Sequence, residues 1–389
     1  MRFVKHIAIV ILAAIIAGFF ALLALYVKPL DPIKRAIQDF SFSDIYYEIK
    51  SETDSEDLST LITIVDLTKL TNRSDIAQTL IDIESCGPKV IGLDCCFDNV
   101  GENFVANDSL IKVAETYDNI VYALKFLNYA NDSIGHTLAI HSFFSDFVNI
   151  TEGTVNMPRG QYDSMKRKES LAEKYNGKLY PSLISQVSDM YMDRQTKYDA
   201  VVDLAINFSP TRFTVLNPDE VKKNPGLIRD RIVLFGSMYE DSDWHWTPLG
   251  KMPGVKLIAY GIQTVIYNKD VKTIKGMLFI LISFIIVLIV QLVQSYFLDR
   301  TSKAKNLFVK FIVGSPYVLG IITFFITALF VWISFIAFMM YNINFNLGWA
   351  MSVIAFFGTS RKMYAAIIDY VFALKVKRRN KQQLTNENQ

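Results

Sequence analysis

Residues 7–27, IAIVILAAIIAGFFALLALYV, contain no charged side chain, and neither do residues 277–298, MLFILISFIIVLIVQLVQSYFL. Each is long enough to cross a bilayer as a helix, which takes about 20 residues. A third apolar stretch lies within 311–341, and Pro316 inside it suits the first turn of a helix better than its interior. A shorter run at 345–360, FNLGWAMSVIAFFGTS, reads as a fourth span. Segments that are apolar on every side leave no face for water, so these runs constrain the chain to a membrane protein with an α-helical transmembrane region of four spans.

Lys and Arg gather on the cytoplasmic side of short loops. Arg2 and Lys5 precede the first run, and Arg300, Lys303, Lys305 and Lys310 separate the second from the third. Arg361, Lys362, Lys375, Lys377, Arg378, Arg379 and Lys381 follow the fourth. Four crossings put all three basic groups on one side, whereas three would export the basic tail. The expected plan is an anchor at 1–27, an extracytoplasmic domain at 28–274, three spans in 275–360 and a basic cytoplasmic tail at 361–389, with both termini cytoplasmic. The first run is longer than the ~7–15 apolar residues of a secretory signal, so it reads as an uncleaved anchor. Lys+Arg number 40 against 38 Asp+Glu, a balance that points to no nucleic-acid partner. The basic tail is expected to lie on the lipid surface, which does not exclude a docked protein partner.

The polar middle alternates between strand and helix patterns. LITIVD (61–66), KVIGLD (89–94), NIVYALKF (119–126), AVVDLAINF (200–208) and RIVLFG (231–236) read as strands. Residues 74–86 show helical spacing at Ile76, Leu80 and Ile83, with Ser74 as cap, and 254–268 reads as a second helix. A strand, a helix and a strand joined by a short turn imply parallel pairing. The fold class is therefore α/β with a mainly parallel sheet, and 127–199 is an elaboration with a helical stretch near 181–193.

In a parallel sheet the carboxyl ends of the strands share one edge, where open α/β folds place ligands. The candidate ligand-binding residues are Asp66, Asp94, Gly236 and Ser237 at strand ends, with Asp243, His245 and Thr247 from the loop at 238–248 that would roof the crevice. Asp241, Trp244 and Trp246 share that loop. Each has a plainer reading. Strand-end acids accept backbone hydrogen bonds, an Asp and a His two residues apart are too few ligands for a metal, and tryptophans pack on a sheet edge. No metal site and no cofactor is expected. Cys86, Cys95 and Cys96 read as free thiols, because a strand would hold Cys86 some 15–20 Å from the other two.

Three features carry a family resemblance. VIGLDCCF follows a helix and Gly-Pro; RIVLFG is followed by Asp243, Thr247-Pro248 and MPGV (252–255); and one span precedes the domain while three follow. The chain resembles the second type of the CHASE family of extracellular sensory domains, over most of residues 1–360. The resemblance implies a bacterial inner-membrane protein with a sensory domain outside the cytoplasm. Two departures stand out. The family commonly places a histidine shortly after Pro-Gly-Val, where this chain has Leu257-Ile258-Ala259. Its best-known members end in a cyclase or kinase, whereas residues 361–389 are far below the ~100–150 residues of a domain.

No nucleophile elbow, zinc-protease helix or phosphate loop occurs, and His136, His141 and His245 lack a convincing acid–base partner. The spans hold no charged residue in their middles, which argues against a transporter; Gln291 and Gln294 read as helix–helix contacts. The expectation is a non-enzymatic sensor or receptor subunit that signals through a separate effector, with self-association possible. The alternative is a scaffold subunit of an envelope complex that uses the α/β domain as a docking surface.

Overall fold

A computed structural model describes residues 2–26, 42–53, 57–158, 165–240, 243–273, 276–303, 305–308, 316–344 and 348–387. Lys28, Asp241, Ile274 and the start of the fourth apolar run lie outside the described residues. The chain divides into two units, one of residues 1–42 with 273–389 and one of residues 43–272.

The chain begins with α1 (Arg2–Tyr26) and resumes with α2 (Phe42–Thr53). The second unit is then built on β1 (Asp57–Asp66), α3 (Arg73–Glu84), β2 (Val90–Leu93), α4 (Phe104–Thr116) and β3 (Ile120–Asn131). β4 (Gly135–Ile140), β5 (Thr151–Thr154), β6 (Lys168–Tyr175), β7 (Lys178–Pro181), α5 (Leu183–Tyr191), β8 (Val202–Ala205) and β9 (Thr211–Leu216) follow. β10 (Ile232–Gly236), the hairpin β11 (Trp244–Thr247) and β12 (Gly250–Pro253), and α6 (Gly254–Ile266) complete it. β3, β2, β10, β1 and β9 lie side by side and parallel. β5 adds to β3 in parallel, and β4, β6, β7 and β8 extend the sheet as a mixed wing.

Burial explains the order. β2 and β10 are buried at every residue and β1 from Leu61 onward, the pattern of strands covered on both faces. On one face Val65, Ile91, Leu93, Val233 and Phe235 meet Ile76, Leu80 and Ile83 of α3 and Leu110 and Val113 of α4. α5 and α6 cover the other. Gly92 in β2 permits this second layer: a Cβ there would lie 2.8 Å from Leu234 and 2.9 Å from Val187 of α5.

The expected α/β class with a mainly parallel sheet is what the structure shows, with differences in detail. Asn72, not Ser74, caps α3; its side chain accepts the Ser74 N–H at 3.0 Å. The segment 127–199 supplies four strands and α5. Helix α4, capped by Asn103 and burying Ala106, Leu110, Val113 and Ala114, was not anticipated. α2 is held to the wing by Arg167, whose Nε donates to Asp44 Oδ1 at 3.0 Å, while the buried Tyr47 ring lies edge-on to Phe208. The three cysteines are free thiols.

The first unit contains α1, then α7 (Gly276–Ser302), α8 (Pro316–Tyr341), α9 (Gly348–Ala355) and α10 (Phe357–Glu387). Three stretches, Phe3–Phe20, Met277–Arg300 and Gly320–Tyr341, are long and apolar enough to cross a membrane. Ala13 and Ala17 of α1 let Val287 and Val290 of α7 and Ala350, Val353, Ile354 and Phe357 approach closely. The fourth run is two helices broken at Phe356, and it packs in this bundle. Arg361 Nη2 donates to Gln291 Oε1 at 2.8 Å and also to Gln294, whose amide in turn donates to Thr323 of α8.

Gly92→Ala should destabilise the second unit by roughly 1–3 kcal/mol through overpacking. Adding Val187→Ala should recover part of that loss, because it removes one of the two clashing groups. Thermal unfolding of the two variants checks this; a double variant no better than the single would show that α5 does not press on Gly92.

Candidate functional site

Register brings three predicted residues together. Asp66 pairs with Gly236 across β1 and β10, and Leu93 pairs with Phe235, so Asp94 follows at the same edge. The ladder runs on past the strands, with Leu67 N donating to Gly236 O at 3.1 Å and Asp94 N to Phe235 O at 3.0 Å.

The loop beyond Gly236 returns to this edge because two glycines let it. At Gly236 a Cβ would stand 2.7 Å from Val255 Cγ2 and 3.2 Å from Asp94 Cβ. At Gly254 it would stand 2.5 Å from Asp243 Oδ2. The Asp243 carboxylate accepts the Gly254 N–H at 3.1 Å, at the start of α6, where unpaired N–H groups and the helix dipole favour an anion. Its other oxygen lies 3.2 Å from His245 Nε2. The hairpin between them turns on Pro248 and on Gly250, whose φ of +88° suits glycine. Thr247 closes that turn, its hydroxyl donating to Gly250 O at 2.7 Å and accepting from Leu249 N–H at 3.2 Å. Each element of the Asp, Thr-Pro and Pro-Gly-Val sequence thus has a local steric or hydrogen-bonding reason.

A cleft of about 530 Å³ opens beside this edge. Asp94, Ser237 and Asp243 line it, together with Lys125, Glu169 and Glu240. The four other candidates do not line it. Gly236 is packed under Val255. Asp66 is buried and accepts the N–H groups of Thr68 and Met238, each at 3.0 Å, so it fastens the β1 and β10 loops together. Thr247 is occupied in the hairpin turn, and His245 reaches the site through Asp243. Trp244 is half-buried, with Lys251 Nζ 5.7 Å from its ring centroid, and Trp246 is 60% exposed.

The acids of the cleft are perturbed. Burial pushes Asp94 up to about 7, and Asp243 and Glu240 push the same way against His245 and Lys125. Part of Asp94 is open to the cleft, yet protein encloses it on the other sides. Burial pushes Glu169 up to about 8, opposed by Lys166 and reinforced by Asp94 and Asp243. Burial also pushes the thiols of Cys95 and Cys96 up to about 11 and about 12, so both are protonated, weak nucleophiles at neutral pH. No three His, Cys, Asp or Glu side chains are grouped to hold a metal ion among the described residues. Carboxyls with strongly raised pKa values in a cleft make it the candidate ligand or proton-handling site.

Glu169, Glu240 and Lys125 were not singled out from sequence. Glu169 sits in β6, inside the stretch read as an elaboration. Its strand, KESLAEKY, shows no apolar–polar alternation, so the local pattern does not mark its two buried acids, Glu169 and Glu173.

The CHASE2 domain family matches residues 11–293 of this chain. The chain belongs to the CHASE2 family. No curated protein matches it, and no solved structure does. CHASE2 domains are sensory, which agrees with the sensor expected from the motifs. The matched residues include the β10 end, the hairpin and the N-terminus of α6. Leu257 and Ala259 of this CHASE2 domain are buried and Ile258 lines the cleft.

The raised carboxyls give a pH signature. A folded pKa above the unfolded value means that the fold holds the proton more tightly. The stability this contributes is complete below the ordinary values of 3.8 for Asp94 and 4.5 for Glu169, and is lost as pH rises through about 7 and about 8. The melting temperature of the wild-type protein should therefore fall between about pH 5 and about pH 9. Asp94→Asn and Glu169→Gln should each flatten that fall and raise the melting temperature at the alkaline end. Parallel curves for all three proteins would refute the assignment.

Proposed function

We propose that this protein is a membrane-tethered receptor subunit of a bacterial inner membrane, with its CHASE2 domain outside the cytoplasm, four spans and both termini inside. The observation that carries the reading is the cleft: a CHASE2 domain here presents buried, near-neutral carboxyls at the carboxyl edge of a parallel sheet. Residues 1–26 and 276–341, on either side of the domain in sequence, contribute the long apolar helices. Support for the fourth span comes from α9 and the start of α10, which bury Ala350, Val353, Ile354, Phe357 and Ser360 in the bundle. The basic flanks support the orientation.

A ligand favouring one arrangement of the domain shifts the membrane helices by its differential affinity for the two states. In this reading the protein performs no catalytic step itself. The signal passes to a separate protein through the basic segment 299–310 or through α10. Ile367, Val371 and Leu374 are exposed on α10 and offer apolar surface for an effector or a second copy.

Protease shaving of spheroplasts, with reporter fusions placed after residues 272 and 377, tests the arrangement. The expected result is cleavage of the 57–266 body from outside and cytoplasmic reporter activity only for the second fusion. Protection of the body would sink the receptor reading. Pull-down in mild detergent tests the readout: a partner whose retention changes with ligand agrees with signalling, while a stoichiometric partner indifferent to every small molecule favours a scaffold.

A further inference from the structure

The receptor reading leaves the chemistry of the ligand open, and the cleft narrows it. We propose that the cleft binds a small organic cation with an apolar body, an ammonium or amidinium compound; this rests on the receptor reading above.

Four acids, Asp94, Glu169, Glu240 and Asp243, face the cleft against one lysine, Lys125. Acids alone do not make a site, but two further observations point to a guest. First, Glu169 is only 5% exposed and lines the cleft, yet among the described residues it has no ion pair and no side-chain donor; the Ser170 N–H is its polar contact. The carboxyl of Asp94 likewise meets no hydrogen-bond donor or ion-pair partner among the described residues, although it faces the same space. A carboxylate can accept about four hydrogen bonds, so the single Ser170 N–H leaves Glu169, and the absence of any donor leaves Asp94, with acceptor capacity that a ligand's N–H groups or positive charge would fill. Second, the cleft is within the ~300–1,000 Å³ of small-molecule sites, and Leu183, Ile184 and Ile258 add apolar lining to it.

Other ligand classes fit less well. Anionic metabolites meet four acids. A divalent cation takes six or more oxygens at short range, and no three candidate ligands are grouped for it among the described residues. A neutral polyol satisfies hydrogen bonds but leaves the clustered negative charge uncompensated. A cation with a hydrocarbon body answers both the acids and the apolar lining.

The groups facing the two carboxyls fix the expected pH response. Asp94 faces Asp243, Glu240, His245 and Lys125; Glu169 faces Lys166, Asp94 and Asp243. Raising the pH from about 6 to about 8 moves Asp94 and Glu169 toward their ionised forms. Both changes make the cleft more negative.

The test is calorimetry on the full chain in mild detergent. The probes are benzyltrimethylammonium, benzylamine and benzamidine, each beside neutral benzyl alcohol and anionic benzoate. The expected result is that a cation binds, that its neutral and anionic counterparts bind at least about 10-fold more weakly, and that its affinity rises with pH across this window. Asp94→Asn and Glu169→Gln should each weaken binding about 10-fold while the circular dichroism spectrum is unchanged. Equal binding of benzyl alcohol, or cation affinity indifferent to both substitutions, overturns the proposal. A neutral or anionic compound that binds and is lost in Asp94→Asn overturns the cation class and leaves the receptor reading standing. No binding by any compound, of any charge, overturns both.

Discussion

The approach of β10 to the first turn of α6 governs the geometry of the sensory domain. Gly236 and Val255 touch because neither a Cβ at 236 nor a larger residue at 254 is present to separate them. That contact brings the N-terminus of α6 to the carboxyl edge of the sheet. Asp243 then has a place to sit, since its carboxylate answers the Gly254 N–H that a helix start leaves without an internal partner. The hairpin of β11 and β12 spans the gap between the capping acid and the helix it caps. It reaches the wing as well, because Lys166 N donates to Trp246 O at 2.7 Å. The residues just after Lys166 enter β6 and carry Glu169. One steric allowance thus connects the sheet, the loop, the helix and the cleft.

The same arrangement explains why the acids are strained electrostatically. Asp243 is held at a helix start, where the Gly254 N–H meets its carboxylate and negative charge is favoured. Asp94, at the neighbouring strand end, must share its surroundings with that charge and with burial. Both effects favour the protonated form, and burial, Asp94 and Asp243 act the same way on Glu169. Function and stability therefore pull apart at this cleft: the fold is least comfortable when the site is most negative, which is the state that a positive guest relieves.

Much of this was legible in the sequence, for physical reasons that differ by region. Continuous apolar runs such as RIVLFG and VIGL belong to strands covered on both faces, and nothing competes with that reading. The parallel connection from LITIVD through α3 to VIGL followed from the short turn at Gly87, and it predicted that Asp66, Asp94 and Gly236 would share an edge. What the alternation could not separate was role from location. Asp66 and Asp94 look alike as strand-end acids, yet Asp66 is consumed by the N–H groups of Thr68 and Met238 while Asp94 is left facing the cleft. That difference is set by the loop from β10, a partner about 170 positions away in sequence. Glu169 was missed for a related reason. Its strand belongs to a mixed wing of short elements, where local pattern is weak and pairing with β8, rather than propensity, holds the strand in place.

The bundle poses the converse problem, polar groups where the sequence promises hydrocarbon. Gln291 and Gln294, read as helix–helix contacts, do join helices: they accept from Arg361, and Gln294 also reaches Thr323. Ser295 extends the chain of contacts to His6 of α1, 3.3 Å away. Four helical segments therefore meet through one polar cluster, placed where the apolar stretch of α7 gives way to Asp299 and Arg300. A guanidinium in such a setting is tolerable only while amide oxygens stand in for water. Any sliding of α7 against α10 large enough to part Arg361 from both glutamines would strand that charge, so the cluster favours a small number of discrete helix arrangements over a continuous range. A receptor that transmits by shifting its membrane helices requires that kind of discreteness, because a ligand's differential affinity can be read out only between states that are separately stable.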